Sequence, residues 1–327
     1  MSLSNPSTPF EASALRYIRH QQTLGKRFDR ERWVIGLMAR FLAQQGASDL
    51  DAAQFEAWCH ARSYTSPNSR RGEDLILRKF CLYRQRTEPG CFVPDPLYFP
   101  RRVPPVIPVI VGPDEVARLL KVIDEHPVNS QFPLRRPALR MAVILLYTTG
   151  LRCGELARLR LEDIDLRSRT LWIRATKFHK TRIVPLSPGT AQELRKYLKV
   201  RLAPPWDIKP GAGLLGHHHA TVQFQSYDPS SLGNALRGVL REAKVCDAVG
   251  KSARVHDFRH SFAVQALLRW YRAGVNVQSK LAQLSTYMGH ASITSTAHYL
   301  HFVPQLAMAA HRRFERYLGS MAKGGAS

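Results

Sequence analysis

At 327 residues, with 44% of them hydrophobic, the chain is long enough for two domains with cores of ordinary size. No stretch approaches the ~20 consecutive apolar residues that a membrane-spanning helix needs, and the N-terminus lacks a signal-peptide pattern. Lys and Arg outnumber Asp and Glu by 48 to 25, so the net charge is +23 and a polyanion is the leading partner. These features argue against a membrane-spanning protein and predict a cytoplasmic one.

The positive charge is spread along the chain. Before position 110 there are 16 basic and 10 acidic residues, and from there onward there are 32 basic and 15 acidic ones. Because both parts are basic, the distribution predicts a body that meets a phosphate backbone on two sides.

Cysteine and histidine usage gives little sign of disulfides or metals. The five cysteines show no CxxC spacing and their number is odd, which predicts reduced thiols. His217, His218 and His219 are adjacent and cannot share one helix face, and no further ligand is spaced to suit zinc. We therefore expect no metal and no cofactor.

Residues 1–88 are predicted to form a helical N-terminal domain. Apolar positions at helical spacing over 11–45, interrupted near Gly25, indicate two helices. Asp49 or Asp51 is suited to cap a third, and a fourth follows the polar turn at 64–68. The apolar positions of these helices are Leu15, Ile18, Trp33, Leu37, Met38, Phe41, Leu42, Phe55, Trp58, Leu75, Leu77, Phe80, Cys81 and Tyr83.

Basic residues crowd the turn and the fourth helix. A charge run of this kind is usually only a solvated face, but on so basic a chain a helical domain that grips DNA is the better interpretation. The residues concerned are Arg62, Arg70, Arg71, Arg78 and Lys79.

The segment 89–113 is rich in proline, which fixes φ and removes backbone donors. It is predicted to be an extended linker that belongs to neither core and marks the domain boundary. Arg101 and Arg102 in its middle are suited to meet phosphate as the linker runs along a duplex.

Residues 114–320 are predicted to form a second domain that is mostly helical with one small sheet. A helix led by Pro113 is followed by an apolar helix that Gly150 stops, and β-rich segments at 171–173 and 183–186 flank a tight turn. We further expect a helix over 188–200, a surface loop over 208–230, helices over 231–244 and 256–273, a last helix over 304–318 and a disordered tail, 321–327. The fold class is therefore mainly α with a small β-sheet.

One set of residues suggests chemistry. A tyrosine phenol, with a pKa near ~10, needs cations around it before it becomes an attacking oxyanion. The chain supplies cations in order: Arg152 in TTGLRCGEL, Lys177 in ATKFHKTRIVPL, and His256 and Arg259 in HDFRHSFA. His290 follows in MGHASITSTAHYLH, with Tyr299 nine residues later.

This ordered set resembles the tyrosine recombinases, the phage-integrase-like site-specific recombinases, over roughly residues 110–318. The resemblance implies a helical DNA-binding domain followed by a mixed α/β catalytic domain, which close as a clamp around DNA. It also implies that Arg152 and Arg259 hold the scissile phosphate, with His256 and His290 hydrogen-bonding it or assisting proton transfer. Tyr299 would be the nucleophile that forms a 3′-phosphotyrosyl bond.

Two further residues carry roles by the same resemblance. Lys177 would protonate the departing 5′ oxygen. Lys180, three residues on in the same turn, also fits the spacing and is otherwise expected to contact DNA. Glu155, three residues after Arg152, would support that arginine through a charge-assisted hydrogen bond. Tyr271 and Tyr287 are the nearest competitors of Tyr299 but lack the spacing.

The function implied is strand exchange between two duplexes at an inverted-repeat core site, through a Holliday junction, for integration, excision or transposition of a mobile element. The partners implied are double-stranded DNA and a homo-tetramer, or a hetero-tetramer with related recombinases, coupled through the last helix. The setting would be the nucleoid of a prokaryote, or a phage. Two alternatives remain: a type IB topoisomerase that only relaxes DNA, and a DNA-binding accessory protein that does not cut.

Overall fold

The computed structural model describes residues 7–104, 106–127, 132–174, 181–204, 208–219, 222–290, 292–294 and 296–297. The chain divides into two compact units, Met1–Val106 and Ile107–Ser327. Most regular structure in both is helical, with small sheets in the second unit, as the sequence predicts. None of the helices within these ranges is long and apolar enough to cross a membrane.

The first unit contains the helices that the apolar spacing predicts: α1 (Pro9–Thr23), α2 (Asp29–Gln44), α3 (Ala52–Ala61) and α4 (Pro67–Arg84). Asp51 is the cap of α3, because its carboxylate accepts from the backbone N–H of Gln54. The core that these helices share includes Phe10, Met38, Leu77 and Phe80. Trp33 does not join it and is 52% exposed.

The other candidate cap, Asp49, takes part in an ion cluster around a buried arginine. Both Nη atoms of Arg84 donate to its carboxylate at 2.7 Å, and the side chain of Arg84 is 1% exposed. Glu88 accepts from the same guanidinium at 2.6 Å. The cluster joins the end of α4 to the chain just before α3.

The prediction that 89–113 belongs to neither core is wrong. Phe99 is 5% exposed and packs in the first core, whereas Val109 and Val111 pack in the second. Prolines lack donors but keep their carbonyls, and Arg71 and Arg78 on α4 donate to two of these, those of Pro100 and Pro94. Asn68 makes two hydrogen bonds with the backbone of Val103. Together these contacts hold most of the segment against one unit or the other.

The second unit is arranged around the apolar helix α6 (Arg135–Thr149), which α5 (Pro113–Glu125), α8 (Pro188–Arg201) and α10 (Asp257–Arg272) pack against. Its buried residues include Ala138, Ala142, Leu145 and Leu146. The remaining helices are α7 (Cys153–Ala157), α9 (Pro229–Glu242) and α11 (Val277–Met288). The sequence analysis did not predict α11.

Three antiparallel strands form a sheet in the order β1 (Ile164–Asp165), β2 (Thr170–Ile173) and β3 (Arg182–Pro185). The cross-strand pair Leu171 and Val184 is buried, whereas the adjacent pair Trp172 and Ile183 is exposed at 44% and 50%. Alternation of side chains therefore gives this sheet an inner and an outer face.

The prediction of a surface loop over 208–230, and with it of a single sheet, is wrong. β4 (Gly216–His219) and β5 (Val222–Ser226) form an antiparallel hairpin there. Leu214, Leu215 and Tyr227 are buried beside it, and the Tyr197 hydroxyl donates to the Leu214 carbonyl at 2.8 Å. The apolar residues that flank the Gly, His and Ser residues hold this segment against the core, which composition alone did not indicate.

The ring of His217 lies near Phe132 and Tyr227. Within the described ranges, no three His, Cys, Asp or Glu side chains are grouped so that they could hold a metal ion. The last predicted helix, 304–318, and the tail, 321–327, lie outside the described residues.

Gly150 ends α6 in the left-handed conformation, with φ at +63°. A Cβ there would lie 2.6 Å from the Phe262 ring, so Gly150→Ala adds a clash to the backbone strain and should cost at least about 2 kcal/mol. Gly238 in α9 has open space around it, and Gly238→Ala should instead stabilise by about 0.5–1 kcal/mol. Urea denaturation of both variants checks this, and equal changes of one sign would contradict it.

Candidate active site

The turn that ends α6 places Arg152 at the N-terminus of α7. The guanidinium donates from Nη1 to Glu155 Oε1 at 2.8 Å and from Nη2 to the Gly289 carbonyl at 3.1 Å. The backbone N–H of Arg152 donates to Glu155 Oε2 at 3.0 Å. The predicted charge-assisted hydrogen bond between Glu155 and Arg152 is therefore present, and the arginine side chain remains 31% exposed.

Glu155 also holds a second arginine, Arg182 of β3. The two Nη atoms of Arg182 donate to the two carboxylate oxygens at 3.0 and 2.8 Å, a bidentate geometry, and the Glu155 side chain is 3% exposed. Burial alone would raise the pKa of Glu155, but the hydrogen bonds and charges of Arg182 and Arg152 lower it to about 2. The carboxylate is thus ionised at neutral pH and serves as the counter-charge of the two arginines.

Arg259 lies in the first turn of α10 and is 1% exposed. Its Nη1 donates to the Gly150 carbonyl at 2.7 Å, and its Nη2 donates to the Met288 carbonyl at the end of α11. The second predicted phosphate-binding arginine is therefore fixed by the turn after α6 and by the C-terminus of α11.

Histidines surround these arginines. Nδ1 of His290 lies 2.7 Å from the hydroxyl of Thr296, which is fully buried. Burial, and then the positive charges of Arg259 and Arg152, lower the pKa of His290 to about 4. At neutral pH this imidazole is a neutral hydrogen-bonding group.

His256 at the start of α10 and His260 one turn later meet edge to face, with ring centroids 4.8 Å apart. Desolvation and the charge of Arg259 lower the pKa of His256. Burial, with His256 as the next cause, lowers the pKa of His260 to about 4. The fixed positive charge of the site therefore comes from arginines and not from imidazoles.

Five of the predicted site residues are thus close together: Arg152, Glu155, His256, Arg259 and His290. They come from the turn after α6, the start of α7, the start of α10 and the segment after α11. Lys177, Lys180 and Tyr299 lie outside the described residues. Their roles stay predictions.

Arg182 was not among the residues predicted from the sequence, although it stands in the quoted motif ATKFHKTRIVPL. The feature that could have identified it is its position on the inward-facing side of the strand. Thr296, the partner of His290, gave no signal because a single threonine has no pattern.

Tyr287, one competitor for the role of nucleophile, is poorly suited to it. Its ring stacks on Phe262 with centroids 5.2 Å apart. Burial raises the pKa of Tyr287 to about 12, so the attacking phenolate is even less accessible than in a free tyrosine.

The predicted DNA-contacting residues of the first unit differ in their surroundings. Arg62 donates twice to Glu73 at 2.8 Å, and the two side chains are 14% and 6% exposed. The charge of this guanidinium is therefore largely neutralised within the first unit. Arg71 and Arg78 donate to linker carbonyls, as described above. Lys79, Arg101 and Arg102 are exposed.

Replacing the buried carboxylate tests the ion cluster. Glu155→Gln keeps the shape but leaves Arg182 and Arg152 without their counter-charge, which should lower the free energy of unfolding by about 3 kcal/mol. Glu162→Gln is the matched control, because its contacts with Arg160 and Arg174 are 3.4 and 3.9 Å long and partly exposed, so less than about 1 kcal/mol should be lost. Urea denaturation at pH 7 measures both, and equal losses would contradict the burial argument.

The histidines predict a pH dependence. Their folded pKa values lie below the unfolded value near ~6.5, so their contribution to stability is present above that pH and is lost as the pH falls toward 4. The stabilisation that Glu155 provides is complete above pH ~4.5 and is lost only below it, as the pH falls toward about 2. His260, which faces His256, Asp257, Arg254 and Arg259, provides the test.

We expect His260→Gln to reduce the fall in melting temperature between pH 7 and pH 4.5. Thermal denaturation of the wild type and the variant across that window is the measurement. An unchanged slope would show that the imidazole is not held neutral by the fold.

Residues 110–305 match the phage integrase family. The y4rB protein of Sinorhizobium fredii, which is named as an integrase/recombinase, is 31% identical over 94% of this chain and 97% of its own length. The tyrosine recombinase XerA of Pyrococcus furiosus is 28% identical over 61% of this chain and 59% of its own.

Solved structures share the fold. The Tn1549 transposon integrase in complex with circular intermediate DNA matches with a TM-score of 0.64 at 20% identity, covering 94% of this chain and 100% of that one. Lambda integrase bound to DNA matches with a TM-score of 0.53 at 16% identity, covering 78% and 85%. With the family match over most of the second unit and a relative aligned along nearly the whole chain, the protein belongs to the phage integrase family of tyrosine recombinases.

Proposed function

We propose that the protein is a site-specific DNA recombinase that cleaves and rejoins DNA through a 3′-phosphotyrosyl intermediate. The observation that carries this proposal is the convergence of Arg152 and Arg259 on the end of α11. That helix leads directly to His290 and to the segment that contains Tyr299. Two fixed guanidinium groups, with a tyrosine nine positions after His290 in the sequence, match the needs of phosphoryl transfer, in which charge on the non-bridging oxygens must be stabilised.

In the proposed reaction the Tyr299 oxygen attacks the scissile phosphorus and gives its phenolic proton to neutral His256, and the bond to the 5′ oxygen breaks. Arg152 and Arg259 stabilise the charge on the non-bridging oxygens, and neutral His256 and His290 add hydrogen bonds. Lys177 donates a proton to the departing 5′ oxygen, with Lys180 as the competing candidate. Attack of a 5′ hydroxyl from another strand on the phosphotyrosine reverses these steps, so the bond energy is conserved.

DNA recognition in this proposal uses both basic units. Arg70, Lys79, Arg101 and Arg102 would contact phosphates from the first unit and its linker, and Arg71 and Arg78 would do so only in part, because they also hold linker carbonyls. Arg62 is the weakest member of the set because Glu73 neutralises it.

We further propose that four protomers act on two duplexes with inverted-repeat core sites, through a Holliday junction, and that the element moved is mobile. The Tn1549 transposon integrase, whose structure includes a circular intermediate DNA, supports this role by its shared fold. The chemistry and the sequence relatives are equally compatible with a homo-tetramer and with a hetero-tetramer of related recombinases.

The test is covalent trapping on nicked suicide duplexes tiled from the DNA that flanks the gene. The wild type should form a slowly migrating protein–DNA adduct on a denaturing gel at one site, and Tyr299→Phe should form none, because it lacks the attacking oxygen. Tyr287→Phe is the matched control and should retain the adduct.

Other outcomes point to the alternatives. Adducts on every duplex regardless of sequence would favour a topoisomerase-like relaxing enzyme. Tight binding without any adduct, even when related recombinases are added, would favour a non-cleaving accessory protein. An adduct that persists in Tyr299→Phe would remove Tyr299 from the mechanism.

A further inference from the structure

The backbone carbonyls at the C-terminus of α11 accept hydrogen bonds from an unusual set of donors. The last carbonyls of a helix lack partners within the helix and carry the negative end of its dipole. Here the N–H of Gly289 donates to the Thr286 carbonyl and the N–H of His290 donates to the Ser285 carbonyl, both at 3.0 Å. This is a Schellman arrangement with Gly289 in the left-handed conformation, at φ +65°.

The next three carbonyls each accept from a different arginine. Nε of Arg182 donates to the Tyr287 carbonyl at 2.9 Å, Arg259 donates to that of Met288, and Arg152 donates to that of Gly289. Two of these arginines already have a proposed role at the phosphate. The third, Arg182, has none.

Arg182 is engaged by the protein through all three nitrogens of its guanidinium. Its Nε is used at α11, both of its Nη atoms are used at Glu155, and its side chain is 11% exposed. Glu155 at the same time holds the Nη1 of Arg152. Arg182 therefore connects β3 to α7 through Glu155 and to α11 through a backbone carbonyl.

Close packing at Gly289 supports this connection. A Cβ on Gly289 would lie 2.9 Å from Nη1 and 3.2 Å from Cζ of Arg182. The guanidinium thus lies directly against the backbone of the residue that precedes His290. A shift of either group moves the other.

We propose that Arg182 is a positioning residue that fixes the end of α11 relative to Arg152 and so sets where His290 stands, nine positions before Tyr299 in the sequence. This role rests on the proposed function. Reacting groups must be held within a fraction of an ångström of their working geometry, and a misplacement of about 1 Å costs on the order of 100-fold in rate. Arg182 acts through Glu155 and the α11 backbone and not on the phosphate itself.

The test is Arg182→Lys, which keeps the charge but cannot form the bidentate pair and reach the Tyr287 carbonyl together. At saturating suicide duplex, adduct formation should slow by about 10-fold or more, while the dissociation constant for non-cleaved DNA changes less than about 2-fold. Amide hydrogen exchange over residues 285–297 of the DNA-free protein should also speed up. That second readout needs no activity.

Arg84→Lys is the matched control. It breaks a bidentate bond between a buried arginine and a carboxylate in the first unit, so it should lower stability while leaving the adduct rate and the exchange over 285–297 unchanged. Gly289→Ala is an independent second variant, since its methyl group pushes on the Arg182 guanidinium. It should reproduce both effects of Arg182→Lys if that variant fails to fold.

The measurements distinguish failure of the positioning role from failure of the proposed function. Wild-type adduct rate and unchanged exchange in Arg182→Lys would overturn the positioning role, and so would a loss of DNA affinity in proportion to the loss of rate, which would make Arg182 a phosphate ligand. If the wild type forms no adduct on any duplex, the proposed function fails, and the exchange at 285–297 still decides whether Arg182 positions this segment.

Discussion

The buried carboxylate of Glu155 allows two arginines of the candidate site, Arg152 and Arg182, to lie side by side. Guanidinium groups repel one another, and burying them costs several kcal/mol per ion unless a counter-charge and hydrogen bonds are supplied. Glu155 accepts from both Arg152 and Arg182, and the backbone carbonyls at the end of α11 satisfy further donors. The site can therefore hold its positive charge in a fixed arrangement before any substrate arrives.

The permanent positive charge of the site is carried by arginines and not by histidines. Arginine remains protonated at any physiological pH, whereas burial, followed by nearby positive charge, lowers the pKa of an imidazole, and His260 and His290 are both neutral at pH 7 for this reason. A site built in this way combines permanent charge for holding a phosphate with neutral groups that can donate or accept a proton. Because the pKa of Glu155 is low, its carboxylate stays ionised at neutral pH and does not take up that proton.

The features that could be predicted from the sequence are those that depend on residues close together along the chain. Gly150 stops α6 because its conformation favours glycine, and Asp51 caps α3 because a short carboxylate side chain can reach the next turn. Five of the motif residues recognised by resemblance, Arg152, Glu155, His256, Arg259 and His290, were found together in space. The helix α11 and the β4–β5 hairpin were missed, and the linker was assigned to neither core, because their positions depend on contacts distant in sequence. Arg182 was missed for the same reason: its partners, Glu155 and Tyr287, lie 27 and 105 positions away along the chain.

The strand alternation in β3 has a consequence for insertions and deletions. Val184 faces the core, Ile183 lies on the outer face, and Arg182 alternates with Ile183 toward the inner side. Substitutions on the outer face leave the ion cluster intact, so the sequence there is free to vary. A one-residue insertion within the strand would exchange the faces, turning the guanidinium outward and an isoleucine toward Glu155. The length of this strand is therefore constrained more tightly than the identity of its exposed residues.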